Sequence, residues 1–383
     1  MLQRLLPGPA LRVLVLTVVH HPGDARIRHR EISALLAAGH QVVYAAPFTG
    51  HGLAVPAHGA TPGLTAIDVP RARGRRRARA LLGVRRVLAG SRGRVDVVLL
   101  HDPELLAATV GLALPPTVWD VHEDTAAALT LKAWLPVPLR RPVAGAVRIV
   151  ERLAERRFPL LLAEYAYAAR FRGEHLVVPN TTAVPASVAT PGVDRAVCVG
   201  ALTAGRGTPE MVAAARELRR RGSGVTVHLI GPADGPTTAL LEQAVADGDV
   251  VWHGFVPNDE ALRLVDGALA GFSLLRDEPN YRVSLPTKVQ EFLAHGVPVV
   301  ATPLPLVAAL LTATGAGVLV PFDDDPAVVG QAAAEAVAAL AADPARAAQM
   351  GAAGHAHARA ALDWAGHADA FVAALESVAR GDA

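Results

Sequence analysis

The segment NYRVSLPTKVQEFLAHGVPVVATP, residues 280–303, contains the local pattern from which the fold class is predicted. Ser284 or Thr287 can cap a helix that begins near Pro286, and Gly296 suits its end. The continuous apolar run VPVVAT follows directly, as in a strand that is buried on both faces of a parallel sheet. A helix that leads straight into a buried strand is the repeating unit of an α/β fold.

The same alternation extends through the rest of the chain. In the first half, LRVLVLTVV, VDVVLLH and TVWDVH read as strands, and ARIRHREISALLAAG reads as an amphipathic helix closed by Gly39. A Pro- and Thr-rich break follows, and the rhythm restarts at RAVCVG. We therefore predict two doubly wound, Rossmann-like domains with a ligand crevice between them. The expected divisions are residues 1–178, a linker at 179–194, a second domain at 195–362 and a terminal helix at 363–383.

Composition limits the class of protein. A chain of 383 residues favours two domains. The single cysteine, Cys198, excludes an intrachain disulfide and agrees with a reducing cytoplasm. Apolar runs stay shorter than the roughly 18 to 20 residues that a membrane span needs. Residues 1–190 hold 24 basic and 13 acidic side chains, whereas residues 191–383 hold 13 and 22. The two halves are thus expected to meet different partners.

Lys288 is one of two lysines in the chain, the other being Lys132. It lies in the first turn of the expected helix, where the helix dipole alone disfavours a cation. An anion bound at the helix N-terminus would explain this placement, and Glu291 on the same face could accept hydrogen bonds from a ribose diol. A plain Lys–Glu pair on the helix surface is the alternative.

A second candidate anion site follows the strand RAVCVG. Gly205 and Gly207 let backbone N–H groups approach a phosphate, Arg206 adds a cation, and Thr208 is expected to cap the next helix. The spacing matches neither GxxxxGK[ST] nor GxGxxG, so a P-loop and a standard dinucleotide site are disfavoured. An ordinary tight turn is the alternative.

Together these motifs resemble the glycosyltransferase family four. The resemblance rests on GALTAGRG, HLIG, VVWHGFVPNDEALRLVDGALAGFSLL and SLPTKVQEFLAHGVPVVATPLP in the second half. HHPGDARIRHREISALLAAGHQVVYAAP, HDPELLAATVGLALPPTVWDVHED and VVPNTT extend it through the first half. The family implies a GT-B fold, with two Rossmann-like domains facing across a cleft and a C-terminal helix crossing back to the first. It also implies retaining, metal-independent transfer of a sugar from a nucleoside diphosphate, such as UDP or GDP, to a hydroxyl acceptor.

The resemblance also assigns roles to individual residues. Arg206 and Lys288 would grip the diphosphate, Glu291 would hold the ribose, and His122 would lie near the reacting sugar. Gly23 would lie in the first-domain loop that approaches the donor phosphates. Further donor contacts are expected at the glycine loop and at the start of the last motif helix, namely at Gly205, Ser284 and Leu285. No cofactor and no metal are expected besides the nucleotide sugar itself.

Two positions depart from the family pattern. Val283 stands where the first glutamate of the EX7E motif is usual, so the contact to the donor sugar must come from elsewhere, such as Asn280, Tyr281 or Ser284. Ala201 stands where an arginine is usual after the glycine. Two alternative functions therefore stay open: a nucleotide-sugar epimerase of the same fold, and a catalytically degenerate subunit that binds nucleotide sugars.

Other polar groups give weaker signals. Asp24, Asp102 and Glu104 follow expected strands and are candidates for acceptor binding, whereas structural hydrogen bonds are expected for His101 and His253. The arginine-rich segment at residues 71–94 reads as a basic helix, either solvated or in peripheral contact with an anionic membrane. Nucleic acid is not an expected partner, because aromatic residues are not interleaved with the arginines.

Overall fold

The computed structural model describes residues 9–126 and 136–382. The chain forms two compact units. The N-terminal unit comprises the chain up to Asn180 together with Ala365–Ala383, and the C-terminal unit comprises Thr181–Trp364. The terminal helix is thus counted with the N-terminal unit, although the whole second unit precedes it in sequence.

Within the described residues, the N-terminal unit contains a seven-stranded sheet in the order β3-β2-β1-β4-β5-β6-β7. Every neighbouring pair in this sheet is parallel. The direction of winding reverses between β1 and β4, which makes the carboxyl ends of these two strands a topological switch point. The strands are β1 Arg12–Leu16, β2 Gln41–Ala46, β3 Leu64–Asp68, β4 Val97–Leu100, β5 Thr117–Val121, β6 Leu160–Leu162 and β7 Leu176–Val177.

The helices of the N-terminal half connect these strands. A π-helix at Ala25–Glu31, whose N-terminus is capped by the Asp24 carboxylate, continues into α1, Ile32–Ala37. Gly39 follows it with a φ of 86°, and this confirms the predicted helix end. The later helices are α2 Arg77–Ser91, α3 Glu104–Ala108 and α4 Val137–Glu155. Side chains of all three later helices belong to one apolar core with β1, β4, β5 and β6, so these helices cover the same face of the sheet.

The C-terminal unit repeats this plan with a six-stranded parallel sheet in the order β10-β9-β8-β11-β12-β13. The winding reverses between β8 and β11. Its strands are β8 Arg195–Val199, β9 Thr226–Ile230, β10 Val250–Gly254, β11 Ala270–Ser273, β12 Val299–Ala301 and β13 Gly317–Leu319. Its helices are α5 Thr208–Arg220, α6 Gly235–Ala246, α7 Asn258–Val265, α8 Thr287–Ala294, α9 Pro305–Thr314, α10 Pro326–Ala342 and α11 Pro344–Ala361.

Both faces of this second sheet are covered by apolar clusters. The chain then ends in α12, Ala365–Arg380, whose buried residues are Phe371, Leu375 and Val378. The side chain of Glu376 in this helix lies 3.2 Å from that of His40 in the N-terminal unit. The two doubly wound parallel sheets confirm the predicted fold class.

Two predicted helix caps are wrong. Gly207, with a φ of 81°, occupies the N-cap position of α5, and Thr208 is already its first helical residue. Pro286 occupies the N-cap position of α8 without a side-chain cap, so neither Ser284 nor Thr287 stands at that position. Glycine and proline set the backbone geometry at these two helix starts, and neither cap residue makes a side-chain hydrogen bond to the helix.

Candidate active site

Lys288 is buried at the start of α8, with 6% of its surface exposed. Its Nζ atom donates a hydrogen bond to Sγ of Cys198 in β8 across 3.2 Å. Glu291, one turn later, is also buried, with 5% exposed. The alternative of a Lys–Glu pair on the helix surface is therefore wrong. A thiol is a weak acceptor, so its hydrogen bond does not balance the charge of a desolvated ammonium.

The glycine loop between β8 and α5 packs tightly against the end of β11. A Cβ atom on Gly207 would lie 1.9 Å from the carbonyl oxygen of Leu274, so a larger residue does not fit. One position earlier, Arg206 is partly buried, and its guanidinium carbon lies 6.0 Å from the centre of the Tyr281 ring. The loop is thus held close to the carboxyl ends of both strands at the switch point.

The two predicted cations approach the carboxyl end of the same strand. Lys288 reaches β8 at Cys198, and Nη1 of Arg206 lies 4.0 Å from the position of a Cβ atom on Gly200, directly after β8. Because α5 and α8 also begin near this end of the sheet, their N-terminal N–H groups add positive potential there. The arrangement suits a doubly charged anion such as a diphosphate.

The loop between β11 and α8 contacts the glycine loop. The backbone N–H of Arg276 donates to the carbonyl of Gly205 across 3.0 Å, and the Arg276 side chain donates to buried Glu210 in α5 across 2.8 Å. A Cβ atom on Gly205 would lie 2.6 Å from Oε1 of Glu278. These contacts join the two loops on which the predicted donor residues lie.

The other predicted donor contacts lie in or directly after the same loop. Oγ of Ser284 donates to the carbonyl of Asn280 across 3.4 Å, and Leu285 packs against the apolar cluster under α8. Oδ1 of Asn280 is buried and has no hydrogen-bond partner among the described residues. Val283 is 43% exposed. Oδ1 of Asn280 is thus a buried acceptor in this loop that no described residue satisfies.

The N-terminal unit contains a second polar cluster, at the end of β5. Both carboxylate oxygens of Asp120 accept hydrogen bonds from Arg26, at 2.7 and 2.8 Å. Nε2 of His122 lies 2.5 Å from Oδ2 of Asp120 and 3.0 Å from Nδ1 of His101. Oε1 of Glu31 lies 2.9 Å from Nε of Arg26. His122 is therefore fixed in a buried network rather than free at the surface.

Burial and charge set the protonation of this cluster. Burial opposes ionisation of Asp120, but Arg26 and His122 outweigh it and hold the pKa of Asp120 well below its ordinary value. Burial, followed by the charge of Asp120, raises the pKa of Glu31 well above its ordinary value. Burial lowers the pKa of His122 to about 4 against the opposing effect of Asp120. At neutral pH, His122 is neutral and Arg26 and Asp120 form the ion pair.

Ligand-type atoms of Glu31, His101, Asp120 and His122 lie within 4.8 Å of one another, which is a spacing that a metal ion could use. Arg26, however, already binds both oxygens of Asp120 and contacts Glu31. The guanidinium supplies the positive charge that a divalent cation would otherwise provide. The side chains present therefore fit an arginine-centred network better than a metal centre.

The remaining predicted residues of the N-terminal unit have structural partners. Asp102 accepts hydrogen bonds from the Thr17 hydroxyl and the Val18 and Val19 N–H groups, so it ties the ends of β1 and β4 together. Glu104 lies 3.1 Å from Arg77. Gly23 is exposed in the loop after β1, where its N–H donates to Nδ1 of His21 across 3.0 Å.

Sequence reasoning missed four residues of these clusters: Arg26, Glu31, Asp120 and Cys198. Asp120 precedes His122 by two residues, and alternate residues of a strand point to the same side, so it could have been found. Arg26 and Glu31 are charged residues on the buried face of a helix, a pattern that also calls for partners. No pattern around Cys198 indicates that it contacts a lysine 90 positions away.

The basic segment at residues 71–94 contains α2 and the short helical turn before it. Its exposed arginines are at positions 73, 75, 76, 77, 79, 86, 92 and 94. Among the described residues, no helix has the length and hydropathy that a membrane span requires.

Comparison with known proteins agrees with this architecture. Residues 194–343 match the sequence profile of the family described as glycosyl transferases group 1. No curated protein matches the chain. Sucrose-phosphate synthase from Thermosynechococcus elongatus is similar in structure, with a TM-score of 0.72 and 16% identity over 97% of this chain and 100% of that one.

Two further solved structures are similar over almost their full length. WaaG, a glycosyltransferase involved in lipopolysaccharide biosynthesis, has a TM-score of 0.66 at 13% identity, covering 95% of this chain and 99% of that one. HepE of Anabaena, solved in complex with UDP-glucose, has a TM-score of 0.67 at 15% identity, covering 96% and 100%. The chain therefore has the GT-B fold of these solved structures, and its residues 194–343 match the family described as glycosyl transferases group 1.

Proposed function

We propose that this protein is a retaining, metal-independent glycosyltransferase of family four, which moves a sugar from a nucleoside-diphosphate sugar to a hydroxyl acceptor. The single observation that carries the proposal is the burial of Lys288 at the N-terminus of α8, where the thiol of Cys198 accepts a hydrogen bond from its ammonium. A desolvated cation beside a second cation and two helix N-termini is stable when an anion joins it. A diphosphate fits that requirement.

The reaction places negative charge where this site is positive. When the bond between the anomeric carbon and the phosphate oxygen breaks, charge develops on the leaving β-phosphate. Lys288, Arg206 and the N–H groups at the starts of α5 and α8 would stabilise that charge without a metal ion. Loss of one such donor typically slows the chemical step about 100-fold to 1000-fold. The acceptor hydroxyl would attack from the leaving-group face, so a carboxylate nucleophile is not required.

The nucleoside would be held one turn deeper. Glu291 lies three residues after Lys288 on the same helix, and its carboxylate would accept hydrogen bonds from a ribose diol. HepE, which shares the fold, was solved with UDP and with UDP-glucose, and this supports a nucleoside-diphosphate sugar as the donor class. Asn280, with its unused buried Oδ1, is our candidate for the donor-sugar contact that Val283 cannot make.

The N-terminal unit would supply the acceptor side. His122 would lie near the reacting sugar, and Asp120 with Arg26 would fix its ring. The lowered pKa of His122 keeps the ring neutral, and its one N–H, at Nε2, is directed at the Asp120 carboxylate. Nδ1 is then free of a proton and can accept a hydrogen bond from a hydroxyl group of the sugar or acceptor. Its role in this proposal is therefore positioning rather than charge stabilisation.

Ligand screening followed by product analysis tests the proposal. Nucleoside diphosphates and nucleotide sugars are first screened for a rise in melting temperature, because a ligand that binds the folded state stabilises it by mass action. The best nucleotide sugar is then incubated with the protein alone. Slow release of nucleoside diphosphate and free sugar with retained anomeric configuration supports a transferase.

Other outcomes contradict it in distinct ways. An isomerised nucleotide sugar would identify an epimerase, and binding without any turnover, with or without simple alcohols as acceptors, would identify a degenerate subunit. The exposed Val283 in place of the usual glutamate makes the second outcome the main competitor.

A further inference from the structure

Helix α4 directs its apolar side chains towards solvent. Leu139, Ile149, Val150 and Leu153 are 51%, 60%, 47% and 55% exposed, and they recur at the spacing of one helical face. Only Glu151 and Ala154 of this 19-residue helix are buried. A surface helix of a globular protein ordinarily shows the opposite orientation, with its apolar stripe on the core.

The charged face of α4 is the side that packs on the protein. Arg148 donates hydrogen bonds to Glu151 and, through two bonds of 2.6 and 2.8 Å, to Asp124. Buried Glu151 is also paired with Arg170, whose guanidinium stacks on Tyr167 and Phe171. Turning the helix to bury its apolar stripe would break these ion pairs, so the outward orientation is fixed by specific contacts.

Positive charge surrounds the apolar stripe. Arg141, Arg152 and Arg156 on or beside α4 are exposed. Helix α2, with its exposed arginines, covers the same face of the sheet as α4. Arg85 of α2 and Arg157, just after α4, both bind carbonyl groups of the segment 108–112. The middle of α2 and the residue just after α4 thus contact the same segment, and the apolar and cationic groups lie on helices that cover one side of the sheet.

We propose that this side of the N-terminal unit docks on an anionic lipid bilayer, with α4 lying in the plane of the interface. Its apolar stripe would enter roughly 5 to 10 Å into the headgroup and acyl boundary, and the arginines of α4 and α2 would contact lipid phosphates. The arginines of the basic segment at residues 71–94 would then attract the anionic lipid headgroups, whereas α4 would insert its apolar side chains into the bilayer. A second copy of the chain fits less well, because pairing this face with itself would bring like charges together.

Vesicle co-sedimentation tests the proposal on the full-length protein. Wild-type protein is mixed with vesicles of equal parts phosphatidylglycerol and phosphatidylcholine, or of phosphatidylcholine alone. The triple variant Leu139→Ser, Ile149→Ser, Leu153→Ser removes the stripe. A matched variant, Val245→Ser, Leu306→Ser, Val328→Ser, changes helix residues of similar exposure, 44%, 42% and 45%, in the C-terminal unit.

We expect wild type and the matched variant to bind the anionic vesicles and to bind phosphatidylcholine much more weakly. The stripe variant should lose at least about tenfold in partition coefficient. Arg75→Gln, Arg76→Gln, Arg79→Gln should weaken binding and reduce its salt dependence. Donor hydrolysis by the stripe variant in vesicle-free buffer should match wild type, which separates this test from that of the proposed function.

Three results would overturn the proposal. The first is wild-type protein that stays in solution with anionic vesicles. The second is equal loss of binding in the stripe and matched variants. The third is wild-type protein that sediments as a dimer without lipid, while the stripe variant is a monomer, because the stripe would then be a contact between two copies.

Discussion

The ammonium of Lys288 donates a hydrogen bond to the thiol of Cys198 at the carboxyl end of β8. Both residues are buried, and they come from positions 90 apart in sequence. The contact aims one of the two lysines of the chain at the switch point of the C-terminal sheet, where Arg206 also approaches. A cation built into the interior in this way is consistent with a role in binding an anion rather than with surface solubility.

Replacement of Lys288 should impair turnover. Lys288→Met keeps most of the buried volume and removes the charge, so we expect kcat to fall about 100-fold or more, because stabilisation of the leaving phosphate is lost. Donor consumption under saturating conditions measures the effect. Arg263→Met, at an exposed site on α7 paired with Asp259, is the control and should behave like wild type. Wild-type kcat in Lys288→Met would contradict the diphosphate assignment.

The thiol partner can be tested separately. Cys198→Ser keeps a hydrogen-bond acceptor for Lys288, whereas Cys198→Val keeps the volume but leaves the ammonium without this partner. We expect Cys198→Val to lower the free energy of unfolding by about 1 to 3 kcal/mol relative to Cys198→Ser. Urea denaturation of both variants measures the difference. Equal stability would mean that the hydrogen bond contributes little to the fold.

Glu291 should matter for nucleotide affinity more than for the chemical step. Glu291→Gln removes a charged acceptor from the expected ribose contact, so the Kd for a nucleoside diphosphate should rise about tenfold to 100-fold. Isothermal titration calorimetry with the free nucleotide gives this value directly. An unchanged Kd, together with a normal melting temperature, would exclude the ribose contact.

The glycine loop should reject any side chain at position 207. Gly207→Ala would place Cβ 1.9 Å from the Leu274 carbonyl at a left-handed φ of 81°, so the loop or the end of β11 must move. We expect destabilisation of more than about 2 kcal/mol and loss of donor binding. Gly235→Ala, in α6, meets no atom within 4 Å and should leave both properties within error of wild type.

The stability of the protein should depend on pH through Glu164, which follows β6. Burial raises the pKa of this carboxyl from 4.5 to about 7, with Arg26 acting in the opposite direction. The neutral form therefore stabilises the fold fully below about pH 4.5, and this contribution is lost as the pH rises through about 7.

Glu164→Gln keeps a neutral side chain at every pH. Its stability relative to wild type should thus increase between about pH 4.5 and 7, by at most about 3 kcal/mol. Urea midpoints across this range measure the effect. Glu174→Gln, at an exposed position of the same unit, is the control and should change stability by less than about 0.5 kcal/mol. Parallel pH profiles for Glu164→Gln and wild type would disprove the assignment.

The architecture could be predicted because its signals are local. Buried runs such as VLVL in β1 and VVLL in β4, and glycine at the helix end near Gly39, depend on residues close together in sequence. Helix starts were harder to predict, because Thr208 is a typical cap residue, yet a close approach to β11 puts Gly207 in that position. Backbone sterics between distant segments outweighed the local preference for a cap.

The sequence by itself determined the two α/β units, the glycine loop and the unusual position of Lys288 in a first turn. Only the tertiary structure decided which groups come into contact. Lys288 donates a hydrogen bond to Cys198, and Arg26 binds both carboxylate oxygens of Asp120. The apolar face of α4 is exposed to solvent instead of packing on the core. Periodicity shows that a helix has an apolar side, because helical geometry repeats every 3.6 residues. Which side packs inward depends on partners such as Asp124 and Arg170, which are brought to the helix only when the chain has folded.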